Sequence, residues 1–82
     1  MRIDNSNILV IGGAGFIGSF VVSELLKHPV KKVVVYDNFA RGNKSYLVAQ
    51  LNDERCSVFP FGGDIRETDI LNIAMDGMDY VI

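Results

Sequence analysis

The sequence predicts an α/β protein built on a parallel sheet, on three observations. Short apolar runs rich in β-branched residues alternate with stretches whose apolar residues recur every three to four positions. The first three runs close on glycine pairs or on Asp-Asn, which break a strand. The spacing between runs suits right-handed βαβ units, which lay successive strands parallel.

Asn7 to Ile11 (NILVI), closed by Gly12-Gly13, reads as a strand buried on both faces. From Phe16 to His28 the period becomes helical. Ile17, Val21 and Leu25 recur every four residues with Phe20 and Val22 beside them, while Ser19, Ser23 and Lys27 fall opposite. The first set is expected to face the sheet. Pro29 stops this helix, and Lys27 and His28 suit its negative end. Val33 to Tyr36 (VVVY) is the second strand, ending at Asp37-Asn38. A polar loop, Phe39 to Asn43, leads to a weaker helix of about two turns carrying Leu47, Val48 and Leu51. Ser57 to Phe61 (SVFPF) is a third strand, and Pro60, with no N–H for the ladder, suits an edge or a strand end. Thr68 is the expected N-cap of a helix through Ile70, Leu71, Ala74 and Met75, with Gly77 as its stop. Asp79 to Ile82 (DYVI) begins a fourth strand. The order is β-α-β-α-β-α-β. In a doubly wound sheet the strands would lie 3-2-1-4, with the ligand crevice outside the carboxyl ends of strands 1 and 4.

Eighty-two residues bound the chain to one small domain. At that size roughly 60–65% of the unfolded surface is buried on folding, a marginal core. The composition is 49% hydrophobic and 22% charged, with mean hydropathy +0.23, which is apolar for a free-standing domain. Part of its surface is therefore expected to lie under further chain. A net charge of −2, with the charges dispersed, lacks the basic stripe of a nucleic-acid binder. Cys56 is the single cysteine, so neither an internal disulfide nor a cysteine-based zinc site is expected; it reads as a half-buried strand residue in a reducing compartment. The apolar runs are too short for a signal peptide or a membrane span, and the expected location is cytoplasmic.

The chemistry concentrates in Gly12-Gly13-Ala14-Gly15-Phe16-Ile17-Gly18. Gly12, Gly15 and Gly18 give G-x-x-G-x-x-G, and Gly13, Gly15 and Gly18 give G-x-G-x-x-G. Either pattern supplies a tight turn out of the strand, a backbone bare enough to approach a pyrophosphate, and a helix packed closely on the sheet. The helix start offers free N–H groups and a positive dipole end to phosphate. The context of strand, glycine turn and helix is the one that marks a Rossmann dinucleotide site. A P-loop would need Lys after the last glycine, where Ser19 and Phe20 stand. Asp37 closes the second strand nineteen residues after Gly18. A carboxylate there accepts from the adenosine ribose hydroxyls and repels a 2′-phosphate, favouring NAD over NADP. Its alternative role is a turn aspartate. Arg41 lies near enough to accommodate a 2′-phosphate. Asp64, after Gly62-Gly63, stands where an adenine edge would lie; it either accepts from the adenine amino group or pairs with Arg66 or caps the next helix.

These residues resemble the extended short-chain dehydrogenase/reductases, and among them the NAD-dependent nucleotide-sugar epimerase/dehydratase family. The resemblance rests on GGAGFIGS (Gly12 to Ser19), YDNFARG (Tyr36 to Gly42) and GDIRE (Gly63 to Glu67), in order and at family spacing. It implies that Gly12, Gly15 and Gly18 line the pyrophosphate of NAD, with backbone contacts from Phe16 and Ile17. Asp37 would bind the ribose, helped by Asn38 and the turn through Arg41 and Gly42, and Asp64 and Ile65 would flank the adenine. Members act on sugars carried by UDP, GDP, dTDP or CDP, often by transient oxidation at a ring carbon. The implied whole protein acts on a small-molecule nucleotide sugar, with no nucleic-acid or membrane partner, as a homodimer.

Family catalysis uses a Tyr-x-x-x-Lys pair and a Ser or Thr near the nicotinamide. Tyr36 and Tyr46 are followed four residues later by Ala40 and Gln50, and Tyr80 lies too near the last residue to have such a partner. No catalytic residue is assigned within 1–82. The chain is therefore expected to be the N-terminal part of an NAD(P)-binding Rossmann domain, with its substrate domain elsewhere. Two other functions remain open: a non-catalytic dinucleotide-binding module, and an NADP-dependent reductase of the same superfamily.

Overall fold

Four parallel strands lie in the order β3-β2-β1-β4 in a computed structural model that describes residues 3–40 and 42–82. This is the strand order the sequence predicts. β1 (Asn7–Ile11) pairs with β2 (Lys32–Tyr36) along its whole length, from Asn7 opposite Lys32 to Ile11 opposite Tyr36. β3 (Cys56–Val58) flanks β2, and β4 (Tyr80–Val81) flanks β1. α1 (Phe16–Leu26) joins β1 to β2. A 3₁₀ turn (Lys44–Leu47) running into α2 (Val48–Leu51) joins β2 to β3, and α3 (Thr68–Met75) joins β3 to β4.

Alternation along the strands divides the core into two layers. Ile8, Val10, Val33 and Val35 face Val22 and Leu25 of α1 and Leu47 of the 3₁₀ turn. Leu9, Val34 and Tyr36 face Ala74, with Ile70 and Leu71 of α3 packed alongside. Each fully buried Val, Leu or Ile contributes about 1.5–3 kcal/mol, so the middles of β1 and β2, buried on both faces, carry much of the core. The path runs β1 to β2 to β3 in one direction and then back across the sheet to β4. A uniform right-handed crossover puts α3 on the face opposite α1 and leaves a crevice where the direction reverses.

α1 presents a different face from the one its periodicity suggests. Ser19, Val22 and Leu25 are buried and Val21 is half-buried, whereas Ile17 and Phe20 are 76% and 60% exposed. The cause is the close approach at its first turn. A Cβ at Gly18 would collide with the Gly12 carbonyl oxygen, so the inward stripe starts on Gly18 and continues four and seven residues later at Val22 and Leu25. Ser19 is small enough to fit beside it and donates its hydroxyl to the Phe16 carbonyl at 2.8 Å. On the outer side Phe16, Phe20 and Tyr46 meet edge to face, with centroids 5.2 and 6.0 Å apart.

Three element ends also differ from expectation. β3 stops at Val58: Phe59 still donates its N–H to the Val35 carbonyl at 2.8 Å, but Pro60 has none to give. Thr68 is the first residue of α3, and Glu67 holds the N-cap position without a side-chain bond. The Glu67 N–H is drawn into a turn on the Asp64 carbonyl (3.1 Å) while the Glu67 carbonyl accepts from Leu71. α1 ends at Leu26, two residues before His28. The predicted stop at Gly77 has φ +75.

Arg55 binds the chain at and just past the end of α1. Its guanidinium donates to the carbonyls of Leu26 (2.7 Å) and His28 (2.8 Å) and pairs with Asp53 at 2.8 Å. The side-chain bond from Arg55, then its backbone N–H, holds the Asp53 carboxyl down at about 2. A carboxyl depressed in the folded state stabilises the fold above its unfolded pKa and ceases to do so as pH falls through the folded value. The difference in urea midpoint between wild type and Asp53→Asn is thus expected to be full above about pH 4 and to shrink toward zero near pH 2. Curves that stay parallel to pH 2 would show that the charge of Asp53 contributes nothing. Nearby, burial and then the Asp53 charge push the Cys56 thiol up to about 11, the state of an inert core thiol. No helix among the described residues is long and apolar enough to cross a membrane.

Candidate functional site

β1 ends at Ile11, and the chain turns on Gly12 at φ +73, a left-handed conformation glycine adopts without strain. The Gly12 N–H still bonds to the Tyr36 carbonyl at 2.9 Å, and the Gly12 carbonyl accepts from Gly15 at 3.1 Å. Gly15 is the N-cap of α1 and has no side chain to cap it. The amides of Phe16, Ile17 and Gly18 are therefore the ones without an acceptor inside the helix. No acidic side chain stands in the first turn to claim them. Free amides at a helix N-terminus are suited to an anion such as phosphate. The side chains of Phe16 and Ile17 are exposed.

Asp37 takes the turn role open to it from the sequence. Its Oδ2 accepts the Ala14 N–H at 3.0 Å, strapping the end of β2 to the glycine turn. Its Oδ1 accepts the Phe39 N–H at 2.7 Å, an Asx turn that holds Phe39 at φ +61. A bulky residue in that region is strained. Each carboxylate oxygen keeps a second lone pair, so two hydroxyls can still be accepted. Asn38 closes the next turn by accepting from Ala40 at 2.9 Å. Gly42 then returns to the glycine turn, where a Cβ would lie 2.8 Å from that of Ala14. Arg41 lies outside the described residues.

Asp64 pairs with Arg66. Its carboxylate accepts from the Arg66 N–H at 2.8 Å and from the guanidinium at 2.7 and 3.1 Å, and those bonds hold it at about 2. Ile11, Gly12, Asn38, Gly63, Asp64 and Ile65 line one crevice of about 600 Å³ at the carboxyl edge of the sheet. Gly12, Asn38, Asp64 and Ile65 are thus brought together, with Gly15 to Gly18 on the same glycine turn. Asp37 lines a neighbouring hollow of about 520 Å³ with Phe39, Lys44, Phe59 and Phe61. Among the described residues no group of three or more His, Cys, Asp or Glu is placed to hold a metal.

Sequence reasoning missed two participants. The Ala14 amide, inside the glycine turn, is what Asp37 holds. Tyr36 is fully buried and donates its hydroxyl to the Asp64 carbonyl at 3.2 Å. An unpaired buried hydroxyl costs about 1–3 kcal/mol, so a tyrosine ending an otherwise apolar strand signals that a partner waits nearby.

A doubly wound parallel sheet with a glycine turn into its first helix and an acid closing its second strand defines a dinucleotide-binding domain. The sequence profile of the NAD dependent epimerase/dehydratase family matches residues 8–82, and the chain belongs to that family. It is 42% identical over 79 residues to a UDP-glucose 4-epimerase of Neisseria meningitidis, a match over 93% of this chain and 23% of that protein. It is 49% identical over 43 residues to UDP-glucuronic acid decarboxylase 6 of Arabidopsis thaliana, covering 52% of this chain and 12% of the relative. Among solved structures, the Bordetella bronchiseptica enzyme WbmF in complex with NAD+ superposes with a TM-score of 0.80 at 31% identity, over 99% of this chain and 23% of that one. The chain thus spans less than a quarter of the length of each of these proteins.

Proposed function

We propose that this chain is the NAD-holding portion of an enzyme that epimerises or dehydrates a nucleotide sugar. The observation that carries the reading is the pairing of the uncapped α1 amides with a carboxylate strapped to the same turn. The residues fit the cofactor: a Cβ at Gly18 would fill the close approach that the glycine turn needs, and the amides of Phe16, Ile17 and Gly18 await an anion. Gly12, Gly15 and Gly18 would seat the pyrophosphate, Asp37 with Asn38, Arg41 and Gly42 the adenosine ribose, and Asp64 and Ile65 the adenine edges. When bound, NAD would take a hydride from a sugar carbon and later return it. This chain's part is to bind and orient the cofactor; the sugar nucleotide and the catalytic acid and base would be held elsewhere in a homodimeric whole protein. The enzymes named in the relatives, and the complex of WbmF with NAD+ and UDP, support this reading.

Calorimetric titration of the intact protein with NAD and NADP tests it. NAD is expected to bind at least about tenfold more tightly, since Asp37 meets a 2′-phosphate with like charge. Equal affinities would move the protein to the NADP-dependent reductases. Binding of NAD without turnover of any nucleotide sugar would make it a non-catalytic module.

A further inference from the structure

The end of β2 with the turn after it, carrying Asp37, and the turn at residues 62–66, carrying Asp64, touch at two points. The first is the hydrogen bond from the Tyr36 hydroxyl to the Asp64 carbonyl, at 3.2 Å. The second is Gly63, at φ +103, where a Cβ would collide with the Asp37 carbonyl group and the Asn38 nitrogen. The Tyr36 ring has little freedom. It is fully buried with Leu9, Val34 and Ala74, and Phe59 lies against it with centroids 6.0 Å apart. A Cβ at Gly62 would come within 2.9 Å of its hydroxyl. The Asp64 carbonyl also accepts the Glu67 N–H at 3.1 Å, so the turn can form without the tyrosine. What the hydroxyl adds is a second tie, beside the Gly63 contact, between that turn and the end of β2.

We infer that Tyr36 is a positioning residue for the adenosine half of the dinucleotide. Acting through the Asp64 carbonyl, it sets where the Asp64 carboxylate and Ile65 stand relative to Asp37. It thereby tunes discrimination between adenine and a purine lacking the 6-amino group that the Asp64 carboxylate would accept. This rests on the NAD reading of the crevice.

The test is titration of the intact protein with NAD and with nicotinamide hypoxanthine dinucleotide, in which a carbonyl replaces that amino group. Wild type is expected to prefer NAD. Tyr36→Phe keeps the ring and removes one hydrogen bond, so the preference should fall about fivefold, through weaker NAD binding with the hypoxanthine analogue little changed. Should Tyr36→Phe fail to fold, Tyr36→His, which keeps a buried ring and a donor on a different reach, should move the ratio the same way. A purely structural role would lower both affinities together. An unchanged ratio in the variants, or no preference in wild type, overturns the inference while NAD binding stands. Wild type that binds neither dinucleotide overturns the NAD reading itself.

Discussion

Gly18→Ala should weaken NAD binding about a hundredfold, equivalent to about 2.7 kcal/mol, and lower stability by about 2–3 kcal/mol. In an ordinary helix this exchange gains about 1 kcal/mol from backbone propensity. Here the added methyl meets the Gly12 carbonyl, a backbone group that cannot step aside without moving the turn. The steric cost exceeds the propensity gain, and the amides of Phe16 and Ile17 swing away from a bound phosphate. Gly15→Ala offers the contrast, because its Cβ would stand 3.3 Å from the same carbonyl oxygen and needs only a small adjustment. Thermal melts and NAD titrations of both variants check the argument. A Gly18→Ala protein that melts at or above wild type would show that α1 is not pinned to the turn by this contact.

Asp37→Ala should cost about 2–4 kcal/mol in stability, because a charged acceptor is removed from two backbone amides at once. The Ala14 N–H at 3.0 Å and the Phe39 N–H at 2.7 Å both lose their partner, and Phe39 is released from its left-handed conformation. The same substitution should narrow the NAD-to-NADP preference by at least about tenfold. Asp37→Asn keeps one acceptor oxygen and should fall between wild type and Asp37→Ala in stability. Two readouts separate the two roles. Unchanged stability would dissolve the strap, and an unchanged cofactor ratio would take the carboxylate off the ribose.

Much of the fold was legible because its signals are local. NILVI and VVVY are buried on both faces and so read as unbroken apolar runs, and Gly77 and Pro29 stand just past the helix ends. The outward turn of Ile17 and Phe20 was not legible from hydrophobic periodicity, since that treats a glycine as neutral. The missing signal was Gly18 itself: a residue required for close packing must lie on the inward face, which fixes Val22 and Leu25 there too. Thr68 looked like a cap by residue type, yet the turn from Asp64 had already placed Glu67 at that position. At the site, the spacing of Gly12, Gly15, Gly18 and Asp37 could be read along the chain. The bonds from Ala14 to Asp37 and from Tyr36 to Asp64 join segments that meet only after the sheet assembles.

The position of Arg55 along the chain decides when the end of α1 can gain its contact. The carbonyl of Leu26, the last residue of α1, accepts from a group that enters the chain nearly thirty residues later, just before β3. A nascent chain on the ribosome can coil residues 16–26 early, but its far end stays open to water until Arg55 has cleared the exit tunnel. The guanidinium then ties the first βαβ unit to the third strand.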